Sequence, residues 1–381
     1  MDNLKKIVLL GFKGDCSGRN YNKVLFEMAS AGKINLICVD FGVPKNVLDI
    51  PKKEDVLKLI KLGRISYLDL KKSEDVEAYK KLDDIEVVFV VTPDITHCRL
   101  AADFLGKAQR IFIDKPIDSI LRNVRSIEGF SGIEKTVFAY DHYLSKFYPF
   151  QLKTDQWLKE KIIGDVERIE FRLLETSSIP RHRVSALDRG MIYDLFSHGL
   201  AVVVAIPNKW AYPDNENLRK LKIEKVSVAK YAGCKTHGCS YAKIIFSVFM
   251  GDRFIPCEAV VGKGVGQFPE KNLKIVGSQG EIVVDINKYD YHIAKSNGEA
   301  ITGGNLVHDY AGSFLSAATD LQKQVFEIPG AMPFDAGKEI LFILDEAEWR
   351  RKPEGKMPNY PVGSSVEAIE RIINNKLKPI S

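Results

Sequence analysis

Four short runs in the first third of the chain, residues 6–10, 34–40, 87–91 and 110–113, are apolar with almost no polar alternation. That pattern predicts strands buried on both faces. Between them apolar positions recur at helical spacing over residues 21–31 and 97–105. Strand, helix and strand repeated in this way predict a parallel, doubly wound sheet with right-handed crossovers. Beyond about residue 150 the pattern changes. Residues 165–175, 222–231, 241–250, 253–261, 273–276 and 281–285 read as strands, the last two joined by a turn at Gly277-Ser278-Gln279-Gly280. One helix carrying Asp194 and His198 interrupts them, and another covers residues 335–349. The expected architecture is therefore an α/β N-terminal domain over residues 1–146, followed by an α+β C-terminal domain over 147–381 with a large open mixed or antiparallel sheet. The final helices are free to pack back on the first domain.

Composition narrows the function. A chain of 381 residues with 45% hydrophobic content can bury two cores. The net charge of +5 comes from 55 basic and 50 acidic residues without a long block of one sign, which excludes a dedicated nucleic-acid surface and suits anionic metabolites. The apolar run at 7–10 is too short for a signal-peptide core or a membrane span, so the protein is expected to be soluble and cytoplasmic, with no membrane partner. Six irregularly spaced cysteines make no disulfide framework. Cys234-x-x-His237-x-Cys239 matches no standard zinc spacing, and no metal is expected.

Candidate chemistry gathers at the strand ends. Ligands on doubly wound sheets bind beyond the carboxyl ends of the strands, where Gly11, Thr92, Pro93 and Lys115 fall, with His97 close behind. The loop from Gly11 through Gly14 and Asp15 to Arg19 follows a strand and opens a helix, so its amides can cradle a pyrophosphate. This predicts a Rossmann dinucleotide site for NAD or NADP. Asp40 ends the second strand, where a carboxylate accepts from a ribose diol and repels a 2′-phosphate, tilting the choice toward NAD; Arg19 pulls the other way. Asp114-Lys115-Pro116 puts an ammonium at the mouth of a buried strand. Asp141-His142-Tyr143-Leu144-Ser145-Lys146 offers a carboxylate, an imidazole, a phenol and a second ammonium within one short segment. Asp194 and His198 stand four residues apart, on one face of a helical turn.

Thr92-Pro93-Asp94-Ile95-Thr96-His97, Asp114-Lys115-Pro116 and Asp194-Leu195-Phe196-Ser197-His198 resemble motifs of the Gfo/Idh/MocA oxidoreductases, nicotinamide enzymes acting on sugars, inositols and related polyols. Gly11-x-x-Gly14-Asp15-x-x-x-Arg19, Asp141-His142-Tyr143-Leu144-x-Lys146 and Arg189-Gly190-x-x-Tyr193-Asp194 resemble pieces of the related glucose-6-phosphate dehydrogenases. The chain departs from both in having Asp114 where glutamate usually precedes Lys-Pro. Its step from Asp194 to His198 follows the wider family.

The resemblance implies a dehydrogenase acting on a sugar or sugar phosphate. It implies His198 as general base, Asp194 as a partner for a substrate hydroxyl, and Lys115 as donor to the reacting oxygen and a cofactor hydroxyl. Asp141 would orient and charge-stabilise His198, and His142, Tyr143 and Lys146 would hold the substrate's phosphate. A homo-dimer or homo-tetramer is expected. Two other readings stay open: a cofactor-binding sensor or regulator without catalysis, and lyase or hydrolase chemistry run through a tightly held NAD.

Overall fold

The apolar runs become β1 (Lys5–Leu10), β2 (Ile34–Asp40), β4 (Ile85–Val90) and β5 (Ala108–Asp114), with β3 (Ile65–Asp69) and β6 (Val137–Tyr140) between and after them. The structure, a computed structural model, describes residues 4–12, 18–41, 60–179, 189–206, 216–235, 237–304, 306, 308–351 and 357–376. Two compact units emerge. Met1–Ser145 cluster with Asp309–Lys338, and Lys146–His308 with Glu339–Ser381. Where the sequence pattern suggests one boundary at 146/147, the chain returns to the first unit at 309 and leaves it again at 339.

The first unit is built on a seven-stranded sheet in the order β15-β6-β5-β4-β1-β2-β3. All neighbours are parallel except β15 (Ala331–Pro333), which runs antiparallel to β6. β3 and β6 leave little trace in the pattern, because β3 is a half-exposed edge strand and β6 has only 4 residues. The helix expected over 21–31 divides into a π turn, Gly18–Asn22, and an α-helix, Lys23–Ser30. The junction serves packing: Tyr21 in the π turn is 1% exposed and lies edge-on to other buried rings.

Those rings form the centre of the unit. Phe314, on the returning helix Tyr310–Ala318, lies 3.6 Å centroid to centroid over Tyr140, nearly coplanar at 16°. It also meets Phe112 at 5.4 Å, Phe89 at 5.8 Å and Tyr21 at 6.1 Å. The helix is tied at its C-terminal end, where backbone carbonyls lack helical partners. The Arg110 guanidinium donates to the carbonyls of Asp320, Leu321 and Lys323 at 2.9, 2.7 and 2.6 Å, and the Lys5 ammonium donates to that of Thr319 at 2.6 Å.

The second unit carries β7 (Val166–Glu175), β8 (Lys222–Tyr231), β9 (Tyr241–Met250), β10 (Arg253–Lys263), β11 (Glu270–Gly277), β12 (Gly280–Asp285), β13 (Asp290–Lys295), β14 (Ala300–Gly303) and β16 (Asn359–Tyr360). They form a mixed sheet in the order β14-β13-β12-β11-β7-β10-β9-β8-β16. Along β7 the alternation is plain: Ile169, Phe171 and Leu173 are buried on one face, while Arg168, Glu170 and Arg172 stand on the other. The polar face is laced with ion pairs, Arg168 to Glu170 at 2.7 Å and Lys274 to Glu281 at 2.7 Å. The apolar face meets the helix Ser197–Ala205, which is buried at every position. Among the described residues no helix is long and apolar enough to cross a membrane.

Phe314→Ala removes the ring that four buried aromatics share. We expect a loss of about 3–5 kcal/mol in urea unfolding; a loss below about 1 kcal/mol would show that the well collapses without it.

Candidate active site

In the first unit the carboxyl ends of β1, β2, β4 and β5 make the crevice that a doubly wound sheet offers a ligand. At its floor, Gly11 adopts φ +85° and donates its N–H to the Val39 carbonyl at 3.0 Å. A Cβ there would stand 2.6 Å from the carbonyl oxygen of Val91, so only glycine lets the end of β1 pass this close to the end of β4. Gly14 and Asp15 lie outside the described residues, as do the side chain of Arg19 and the basic segment Arg181-His182-Arg183.

Asp40 ends β2 and pairs in register with Asp69 at the end of β3. The Asp40 carboxylate accepts the Phe41 N–H at 2.7 Å; Asp69 is 4% exposed and accepts the Lys71 N–H at 3.0 Å. Their negative field is felt by their neighbours. Burial, with Asp40 beside it, pushes the Cys38 thiol well up, and burial together with Asp40 and Asp69 does the same to the Tyr67 phenol.

The loops after β4 and β5 are fastened to each other. Thr92 and Thr96 share a hydroxyl hydrogen bond of 2.8 Å, and Thr96 donates to the Pro93 carbonyl at 2.7 Å. His97 is 2% exposed, its ring nitrogens 2.6 Å from the Thr92 carbonyl oxygen and 2.9 Å from that of Pro116. It is a strut beneath the crevice, bearing on a ligand through the two loops rather than by reaching it. Asp118, fully buried, accepts the N–H groups of Cys98 and Ile120 at 3.0 and 2.8 Å and the Asn123 amide at 3.1 Å. Held in this way, Lys115 is half-buried with its backbone N–H bonded to Asp114 at 2.9 Å, and the Lys115–Pro116 peptide is cis. Burial raises the Asp94 carboxyl, and the neighbouring His97 and Lys115 side chains oppose that rise.

Asp141 performs a task that its place in the sequence motif does not reveal. It is 1% exposed, and one carboxylate oxygen accepts the N–H groups of Tyr143 and Leu144 at 2.8 and 3.0 Å. That is an N-cap for the helix His142–Lys159. The capping oxygen occupies amides that an anion would otherwise use, so any anion near this turn depends on side chains. Of these, His142 and Lys146 lie four residues apart on one face, while Tyr143 is 5% exposed with its ring 4.7 Å from that of His142.

In the second unit, Asp194 sits in a π turn, Ile192–Phe196, and His198 in the first turn of the α-helix that follows. The α-helical pairing expected for them is thus replaced by a π-to-α junction, in which an extra residue is accommodated and positions four apart still share a side. His198 is 2% exposed. Beside Asp194 lies a residue the sequence reading missed. Lys263, 4% exposed at the end of β10, places its ammonium 3.3 Å from Asp194 and 3.0 Å from Glu175, its register partner on β7. A buried cation is tolerable only with such partners. The available signal was the lysine itself, a charge between glycines in the buried run Ala259-Val260-Val261-Gly262-Lys263-Gly264. Among the described residues no group of three or more side chains is placed to hold a metal.

No family model matches the sequence. A trans-1,2-dihydrobenzene-1,2-diol dehydrogenase of Danio rerio is 23% identical over 203 residues, 53% of this chain and 55% of that protein. The chain thus spans about half the length of the curated relative it matches. Among solved structures, a glucose-6-phosphate dehydrogenase in complex with glucose-6-phosphate superposes with a TM-score of 0.69 at 15% identity, over 99% of this chain and 98% of the other. A 3-ketoreductase from Actinomadura kijaniata in complex with NADP and TDP-benzene follows at a TM-score of 0.66 and 12% identity, over 94% and 100%. At these identities the likeness is one of fold. The chain has the two-part fold of the Gfo/Idh/MocA oxidoreductases, a parallel Rossmann sheet and a large mixed sheet.

Replacing Lys263 by methionine leaves Glu175 and Asp194 facing each other without a cation. We expect about 3–5 kcal/mol of destabilisation by chemical unfolding. Adding Glu175→Gln should recover part of it; equal losses in single and double variants would mean that the carboxylates do not couple through the lysine.

Proposed function

We propose that the chain is a nicotinamide-dependent sugar oxidoreductase that moves hydride between a hydroxyl-bearing carbon of a sugar or sugar phosphate and the dinucleotide, with His198 as general base. The observation that carries this reading is the junction holding Asp194 and His198 on one turn with the Lys263 ammonium fixed beside the carboxylate. The fold and the names of its relatives, dehydrogenases and a ketoreductase, point the same way.

The crevice of the first unit suits a dinucleotide. Gly11 keeps bare backbone where a Cβ would fill the floor, and the helical turn after the loop offers N–H groups toward a pyrophosphate. Asp40 would accept from a ribose diol, with Thr92 and Pro93 along the nicotinamide side and His97 bracing them from below. A nicotinamide held there would supply the hydride acceptor or donor.

The protein's own groups manage the proton. As the carbon loses hydride and becomes a carbonyl, the hydroxyl proton passes to the His198 imidazole. Asp194 orients the hydroxyl by accepting from it or from its neighbour, and the Lys263 ammonium, 3.3 Å away, holds that carboxylate in place. Lys115 donates to the oxygen on which charge develops, a role that rewards rigid placement, and His97 and Asp118 supply the rigidity. Asp141 acts by capping the turn that presents His142 and Lys146, the pair that would meet a phosphate or carboxylate of the substrate.

A screen of hexoses, hexose phosphates, uronates and nucleotide sugars by NAD(P)H absorbance should find turnover, best with an anionic member and with glucose 6-phosphate first to try. In the same assay His198→Asn should lower turnover by ~10² to 10⁴ while cofactor affinity holds. Near wild-type turnover in the variant removes His198 from the mechanism.

Calorimetric titration should give tighter binding of NAD than of NADP, since a 2′-phosphate would face both Asp40 and Asp69. A clear NADP preference would show that cations near the loop outweigh the two carboxylates.

A further inference from the structure

The π turn that carries Asp194 is clamped at both ends. At its start, Gly190 lies so close to the 238–239 backbone that a Cβ would stand 2.5 Å from the Cys239 nitrogen, and the Met191 N–H donates to the Cys239 carbonyl at 3.0 Å. At its end, the helix Ser197–Ala205 is buried along its whole length. A segment fixed at both ends takes up a surplus residue as a π turn, and the change of hydrogen-bond step disturbs the carbonyl pairing at the junction. Ser197 repairs it: its hydroxyl lies 2.9 Å from the Tyr193 carbonyl and 3.3 Å from that of Asp194.

The outer side of the turn is held by one side chain. Tyr193, 3% exposed, donates its hydroxyl to Asp345 on the helix Phe334–Arg350. The Arg189 guanidinium covers the tyrosine ring, 4.6 Å from its centroid, and reaches the same carboxylate at 3.4 Å. The arrangement exceeds what satisfying a buried phenol requires. One well-placed acceptor would suffice for that, whereas here the ring is pressed from above, its hydroxyl is anchored, and the peptide it shares with Asp194 begins the functional side chain.

We propose that Tyr193 and Asp345 form a latch that sets the rotation of the π turn, and with it the direction in which Asp194 and His198 face: both are positioning residues that act on the reaction without touching it. The inference rests on the proposed dehydrogenase reading for its kinetic consequence, though not for its structural one. Burial and the bond to Asp345 push the Tyr193 phenol far above its ordinary range, so the latch stays protonated across physiological pH.

The test uses the full-length protein with Tyr193→Phe, which keeps the ring and loses the bond. A second variant, Asp345→Asn, keeps an oxygen acceptor for the phenol. Three quantities are read: kcat and KM on the best substrate of the screen, the Kd for the dinucleotide, and the imidazole resonances of His198 in a protein–NMR pH titration, assigned with His198→Asn. We expect Tyr193→Phe to lower kcat by roughly 10- to 100-fold, the scale of a misplacement of about 1 Å. The dinucleotide Kd should stay unchanged, the His198 resonances should shift, and Asp345→Asn should retain most of kcat. Unchanged His198 resonances in a folded Tyr193→Phe protein overturn the latch, whatever the kinetics. A parallel fall in kcat, dinucleotide affinity and melting temperature also overturns it, because that pattern marks general structural damage. If no sugar is turned over even by the wild type, the dehydrogenase reading fails, and the resonances alone decide the latch.

Discussion

The return of residues 309–338 to the first unit centres on one ring. Phe314 fills a well made by Tyr21, Phe89, Phe112 and Tyr140, residues from the π turn after β1 and from three strands. An open aromatic well on a sheet face would be costly in water, so the returning helix is part of the core. Its placement fixes its ends. The Tyr310 hydroxyl donates to Asn20 in the π turn at 2.8 Å, and its carbonyl accepts from the Ser145 hydroxyl at 3.1 Å. Gly330, further along, accepts the Asp141 N–H at 2.9 Å. One packing event thereby locates the π turn Gly18–Asn22 and the capped turn bearing His142.

A second constraint concerns charge. Among the described residues three buried ionisable groups are bound to fixed partners: Asp118 by backbone and amide donors, Asp141 by the amides it caps, Lys263 by two carboxylates. Each is expensive to desolvate and is repaid only by good geometry. Such groups cannot move without losing that repayment, and for this reason they can aim Lys115, His142 and Asp194.

How much of this was legible in the sequence follows from the range of the interactions involved. The strands β1, β2, β4 and β5 announce themselves because burial on both faces demands unbroken apolar runs. The crevice residues follow from the ends of those strands. β13 and β14, polar strands at the edge of the second sheet, carry no such mark. Nor does the second crossing of the chain, since nothing in a local pattern says that the helix Tyr310–Ala318 belongs with β1 rather than with β14. Asp194 and His198 could be paired by spacing, yet the π turn between them could not, because it is imposed by the anchoring of Gly190 and of the buried helix at opposite ends. Lys263 is the same case: the strand that presents it was readable, its two carboxylate partners were not.

Two small groups of ionisable side chains stand out within a nearly balanced chain. Asp40 and Asp69, side by side at the ends of β2 and β3, make one end of the dinucleotide crevice negative. His142 and Lys146 lie four residues apart on one face of the long helix, whose first amides are taken by Asp141. A net charge of +5 spread over 381 residues says nothing about either. The fold is set by the apolar runs and the aromatic core, and it is shared at 15% identity.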